Sequence, residues 1–186
     1  MSDVLYIHGF ASCGKGQKST ALSEYFGADA VTAPDLPASP FDAIAHLEQI
    51  LGSGSYTLLV GSSLGGYYAT WLAEKYAMKA VLVNPSTEPF VTLASFTGWQ
   101  ERFCDGEAFE FKPVYLSQLE QLKAAPEKGK YLVLLQSGDE VLDYHKAKAF
   151  YQNERVVVEY GGNHRFENMG DYLSMIGNFK HAIQST

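Results

Sequence analysis

The sequence is poor in cysteine, short of positive charge and without a long apolar run. Its 186 residues include two cysteines, Cys13 and Cys104, which can form at most one disulfide and cannot supply the four ligands of a structural zinc site. The expectation is two free thiols in a reducing compartment. Lysine and arginine number 14 against 21 aspartates and glutamates, a net charge of −7, and the basic residues are scattered. That balance argues against nucleic acid or anionic lipid as a partner. No segment approaches the roughly 18–20 apolar residues that a membrane span needs. Met1-Ser2-Asp3 carries no positive charge, and the apolar run VLYI stops at His8-Gly9. A secretory signal is therefore not expected, and the chain reads as cytoplasmic with no membrane insertion.

What is present suits a folded enzyme-sized domain. With 46% hydrophobic and 19% charged residues, the chain can bury a core and is neither disordered nor fibrous. Its length fits one domain over residues 1–186. Short β-branched runs alternate with segments of helical period, the pattern of a parallel sheet covered by helices on both faces. The strand candidates are Val4–Ile7, Asp29–Thr32, Tyr56–Val60, Ala80–Val83, Tyr131–Gln136 and Arg155–Tyr160. Helical spacing is carried by Phe41, Ile44, Leu47 and Leu51 behind a Ser39 cap and Pro40, and by Leu64, Tyr68, Leu72 and Tyr76. Tyr144, Ala147 and Tyr151 mark another helix, and Leu173, Ile176, Phe179 and Ile183 a last one. The rhythm breaks once, between Pro85 and Pro113, in an aromatic-rich insertion that either packs its own rings or covers a pocket.

Gly61-Ser62-Ser63-Leu64-Gly65-Gly66 stands directly after the apolar run YTLLV and before a helix. This is G-x-S-x-G at a strand-to-helix turn. A turn that tight leaves no room for side chains two positions before and after Ser63, and it holds that serine in a strained conformation. The helix behind it aims its first N–H groups at the same spot. His8-Gly9-Phe10-Ala11-Ser12 ends the first strand and opens onto the same crevice. Backbone N–H groups of Phe10 and Leu64 are the expected oxyanion donors. His8 is expected to brace its loop by a side-chain hydrogen bond.

A nucleophilic serine needs a base and a group to orient the base. Gly138-Asp139-Glu140-Val141 follows one late strand and Gly161-Gly162-Asn163-His164 the next. His46, His145 and His181 fall in helical segments, which leaves His164 as the base. Asp139 sits at the strand end and is expected to orient it. Asp143 stands just before a helix and is expected to cap it, with Glu140 facing solvent. The chain order is then Ser63, Asp139, His164.

Two readings of other classes compete. Gly9-Phe10-Ala11-Ser12-Cys13-Gly14-Lys15 fits the first seven positions of the phosphate-cradling P-loop, but Gly16 replaces the metal-binding hydroxyl. No later strand ends in the Asp such a metal site requires. A non-catalytic binding module would have no need of Ser63, Asp139 and His164 together.

The chain resembles the compact α/β-hydrolases of the YqiA/YcfP-like family of bacterial esterases. The motifs that carry the resemblance are IHGF, APDLP at Ala33–Pro37, GSSLGGYYA at Gly61–Ala69, NPS at Asn84–Ser86, GDEVLDY at Gly138–Tyr144 and GGNHRF at Gly161–Phe166. They span nearly the whole chain in order. The resemblance implies a three-layer α/β/α fold with a six-stranded parallel sheet of order 2-1-3-4-5-6, lacking the N-terminal antiparallel strands of larger relatives. It also implies ester hydrolysis through Ser63, His164 and Asp139, with no cofactor and no metal. The expected substrate is a small or short-acyl ester, or an acyl thioester handled by the same residues.

Overall fold

The computed structural model describes residues 3–182. Ile183, assigned to the last helix by its periodicity, lies outside the described residues. The chain runs β1 (Val4–Ile7), α1 (Gln17–Phe26), β2 (Val31–Thr32), α2 (Pro40–Ser53), β3 (Leu58–Ser62), α3 (Leu64–Tyr76) and β4 (Lys79–Val83). It continues through α4 (Pro89–Thr92), β5 (Gly98–Glu101), β6 (Ala108–Phe111), α5 (Val114–Gln121), β7 (Lys130–Gln136), α6 (Tyr144–Phe150), β8 (Arg155–Glu159) and α7 (Leu173–His181). Six strands form one sheet in the order β2-β1-β3-β4-β7-β8, with every pairing parallel. Counted along the chain, that is the order 2-1-3-4-5-6.

Alternate residues of the central strands enter two separate cores. Leu5, Ile7, Leu59, Leu82, Val133 and Leu135 pack with Leu47 of α2, Leu72 of α3 and Ala147 of α6. Val4, Tyr6, Leu58, Val60, Val81 and Leu132 pack on the other side with Leu22 of α1 and Ile176 of α7. Helices therefore cover both faces. Because both faces are buried, β1 and β3 read as unbroken apolar runs rather than alternating ones.

Two strands and two helices differ from the sequence reading for physical reasons. Gly27 takes φ 101°, and Ala28–Ala30 close into a 3₁₀ turn, so the second strand keeps only Val31–Thr32 of Asp29–Thr32. The third strand starts at Leu58 instead of Tyr56 and runs on to Ser62, because Gly61 and Ser62 stay paired with Leu82 and Val83. Helix α1 gave little signal, since Ser19 and Leu22 are its buried residues. Helix α5 buries only Leu119 and was equally faint.

The insertion has structure of its own. After α4 it forms an antiparallel hairpin, β5 paired with β6 from Gly98↔Phe111 to Glu101↔Ala108. Its tip is fastened to the loop after β1. The Phe103 N–H donates to the Ala11 carbonyl at 2.8 Å, and Arg102 joins Asp35, Asp105 and Glu107 in one ionic cluster. Cys13 and Cys104 are joined in a disulfide across 91 positions of sequence, which corrects the expectation of two free thiols. Sequence spacing gave no hint of this. The cysteines meet only because the hairpin folds back over the first loop.

Candidate active site

The β3–α3 turn shows why its glycines are needed. A Cβ on Gly61 would lie 2.3 Å from the Gly65 carbonyl oxygen, and one on Gly65 would lie 2.0 Å from that of Ile7. Between them Ser63 adopts φ 55°, ψ −120°, a region that side-chain-bearing residues rarely occupy. The turn is held on both sides. The Ser63 N–H donates to the Val83 carbonyl at 3.0 Å, and the Ser63 carbonyl accepts from Gly66 and Ser86. Ser62 ends β3 in register with Val83 and is buried.

The loop after β1 presses on this turn, with the Cβ position of Gly9 only 3.2 Å from that of Ser63. His8 braces that loop as expected. Its Nδ1–H donates to the Gly9 carbonyl at 2.8 Å, and its Nε2 accepts the Leu36 N–H at 3.1 Å. Burial pushes its pKa below the ordinary value of 6.5, which keeps the ring neutral and both bonds intact. The Phe10 ring is pinned edge-on by Phe96, Phe109 and Phe111 of the insertion. Leu64 opens α3, so its N–H belongs to the first turn, where helical acceptors are missing.

Asp139 and His164 arrive from the ends of β7 and β8. The His164 Nδ1 lies 2.8 and 3.0 Å from the two Asp139 carboxylate oxygens, and its Nε2 lies 3.0 Å from Ser63 Oγ. A carboxylate only accepts, so the proton sits on Nδ1, and Nε2 is left to accept from the serine hydroxyl. The Asp139 side chain is 2% exposed, and its Oδ1 also accepts the Val141 and Leu142 N–H groups. Those bonds fix the carboxylate before the histidine meets it. Asp143 caps α6, accepting the His145 N–H at 3.0 Å, and stands apart from the site.

Three positioning groups were missed by sequence reasoning. Glu140 is exposed, as expected, yet it does not simply face solvent: its Oε2 accepts the His164 N–H at 2.9 Å. Asn84 of the NPS motif is buried, accepts the Gln136 N–H and donates to the Asn163 and His164 carbonyls. Gln136 accepts the Asn163 N–H at 2.9 Å. A Cβ on Gly162 would fall 2.2 Å from the Gln136 side chain, which explains the glycine there. Each of these bonds joins residues 24 to 80 positions apart, so no local pattern announces them.

Ser63 and His164 line a cleft of about 720 Å³ together with Phe10, Leu64, Leu93, Phe96, Leu142 and Arg165. A smaller cavity of about 250 Å³ shares Phe10 and Leu64 with the cleft and is lined by His8, Leu36, Tyr68 and Phe111. Amides of the Gly-Lys loop have partners within the chain. The Gly14 N–H donates to Asp35 at 2.7 Å and the Gly16 N–H to Ser19 Oγ at 2.9 Å, so two of the required amides are occupied. A carboxylate stands where an anion would approach.

The backbone is shared with solved hydrolases at low sequence identity. It superposes on Est1E of Butyrivibrio proteoclasticus with a TM-score of 0.74, at 13% identity over 96% of this chain and 88% of that one. A monoacylglycerol lipase of Paleococcus ferrophilus gives a TM-score of 0.73, at 16% identity over 95% of this chain and 93% of that one. These likenesses identify the α/β-hydrolase fold. Among sequences, a UPF0227 protein of Vibrio parahaemolyticus is 24% identical over 96% of this chain and 99% of its own length. The UPF0227 protein YcfP of Salmonella paratyphi A is 23% identical over 95% of this chain and 98% of its own. The model of the uncharacterised protein family UPF0227 matches residues 3–181, the whole sheet and every loop that meets at Ser63, and the chain belongs to that family.

Proposed function

We propose that this protein is a serine hydrolase that cleaves carboxylic esters through an acyl-enzyme on Ser63. The observation that carries the reading is the relay from Ser63 Oγ to His164 Nε2 at 3.0 Å and from His164 Nδ1 to Asp139 at 2.8 Å, at the head of a strained turn. Proton acceptor and nucleophile are already within hydrogen-bond reach, and the base is oriented by a third group.

Chemistry follows in two halves. His164 Nε2 takes the Ser63 proton as Oγ attacks the ester carbonyl, and the Phe10 and Leu64 N–H groups receive the oxyanion. The carbon–oxygen bond to the alcohol breaks, and the alcohol leaves with the proton now on His164. Water then gives a proton to His164, attacks the acyl-enzyme and releases the acid, and Oγ recovers its proton. Asp139 stabilises the transient imidazolium and keeps Nδ1 protonated throughout.

The evident cover of the cleft is the short β5–β6 hairpin with α4, which supports small or short-acyl substrates over triglycerides. Acyl thioesters present the same carbonyl, and a hydrolysis profile over esters and thioesters of graded length ranks the two. A fluorophosphonate tests the nucleophile directly. Mass spectrometry should find one adduct on the peptide containing Ser63, lost in Ser63→Ala and kept in Ser62→Ala. An adduct on Ser62, or none, overturns the reading.

A further inference from the structure

We propose that Lys18 and Arg165 form an anion seat in the cleft, so that the ester accepted there carries a negative charge on its leaving-group half. The inference rests on the hydrolase reading above. It starts from the charges that line the cleft, which are Lys18, Glu140, His164 and Arg165. Glu140 is engaged by the His164 N–H, and His164 is engaged by Asp139 and Ser63. Two cations remain. Elsewhere in this chain of net charge −7, Lys75 pairs with Glu48, Arg102 with Asp35, Lys146 with Glu88 and Lys180 with Asp3, so what sets Lys18 and Arg165 apart is their place in the lining of the cleft. Among the described residues, Lys18 and Arg165 form no ion pair.

The pair carries an electrostatic cost that an anion would relieve. Lys18 is half-buried at the start of α1, and burial together with the nearby Arg165 charge pushes its pKa down, against a smaller opposing pull from Glu167. A partly desolvated cation beside a second cation is unfavourable unless something negative sits between or against them. Leu93, Phe96 and Leu142 of the same lining are apolar and offer the acyl group its place.

The side of the ester follows from the mechanism. His164 hands its proton to the departing oxygen, so the leaving group lies against His164. Arg165 is the next residue in the chain, and Lys18 is close enough to feel its charge. The leaving group beside His164 is therefore the half of the ester within reach of the cations that line the cleft, half-buried Lys18 and exposed Arg165.

The test compares 5-acetoxy-2-nitrobenzoate, whose leaving group is an anion, with its neutral methyl ester, each normalised to its hydroxide-catalysed rate. The protein should prefer the anionic ester in kcat/KM by about tenfold, the scale of one charge-assisted hydrogen bond. The preference should shrink with added salt. In Lys18→Gln/Arg165→Gln the ratio should fall to about one. A binding measurement keeps the two readings apart. Calorimetry on Ser63→Ala protein should detect 5-hydroxy-2-nitrobenzoate, and the additional Lys18→Gln/Arg165→Gln changes should abolish that signal. Turnover of both esters with no charge preference overturns the anion seat and leaves the hydrolase reading standing. Anion binding without Ser63-dependent turnover supports the seat and overturns the hydrolase reading. Absence of both charge preference and binding overturns the seat.

Discussion

The carboxylate of Glu140 accepts the backbone N–H of His164 at 2.9 Å, while the neighbouring carboxylate of Asp139 accepts the Nδ1–H of the same residue. Two consecutive acids on one loop thus hold one histidine, one by its backbone and one by its ring. The His164 N–H keeps the Glu140 carboxyl below the usual carboxylate range, so this grip persists into mildly acidic solution.

Removing that grip should cost turnover without unfolding the protein. Glu140→Ala is expected to lower kcat roughly three- to tenfold, the scale of one ordinary hydrogen bond. KM and the melting temperature should hardly move. Glu140→Gln retains an acceptor oxygen and should recover most of the loss. Equal damage from both variants would show that charge, rather than position, is what Glu140 supplies.

The two aspartates of the loop should fail differently. Asp139→Asn preserves the oxygen that accepts the Val141 and Leu142 N–H groups but turns an NH₂ toward Nδ1, favouring the wrong tautomer. Ester hydrolysis should drop by roughly a thousandfold or more with near-normal melting. Asp143→Ala loses the α6 cap, so the melting temperature should fall a little while turnover per folded molecule stays high. Thermal melts and initial rates on both variants decide, and a reversed pattern would reassign the orienting acid.

His8 makes a pH prediction with a defined sign. Its folded pKa is depressed, so the unfolded chain binds a proton first as pH falls below 6.5. Stability contributed by neutral His8 is full above that value and is lost as pH drops toward the lowered folded pKa. Protonation also removes the acceptor for the Leu36 N–H. Melting temperature should therefore decline more steeply with acid in the wild type than in His8→Gln. Parallel slopes would show that His8 takes up its proton equally in the folded and unfolded states, with no depression on folding.

The Cys13–Cys104 disulfide closes a loop across 91 positions, and opening it should cost about 2–5 kcal/mol of stability. A reductant should lower the melting temperature of the wild type and leave Cys13→Ala/Cys104→Ala unaffected. Proteolytic cleavage near Phe103, which is 80% exposed at the hairpin tip, should quicken on reduction. A melting temperature indifferent to reductant would show that the bond adds nothing to the fold.

Much of this site was legible because sterics and topology act locally. The elbow declares itself through glycines that no other residue could replace, and Asp139 and His164 through their places just past two buried strands. The sheet order came through the family resemblance that the ordered motifs carry. What escaped was long-range and polar. Asn84 looks like an ordinary turn residue until the fold lays it against the Gln136 N–H and the His164 carbonyl. The disulfide and the β5–β6 hairpin escaped together. Strands of four residues with alternating exposure carry too little apolar signal to be read, and the hairpin is what brings Cys104 back to Cys13.

The sheet order also dates the site within the life of the chain. Ser63 and its strained turn lie between β1 and β4, whereas Asp139 and His164 ride behind β7 and β8 at one edge of the sheet. Synthesis runs from the N-terminus, so Ser63, the proposed nucleophile, is made well before His164, its proposed base. A chain halted before β8 would carry Ser63 without His164 beside it. The proposed site is complete only with the last strand, whose following loop, carrying Asn163 and His164, bonds to Asn84, Gln136 and Glu140. The same edge is then where fraying would silence the molecule first, long before the rest of the sheet lets go.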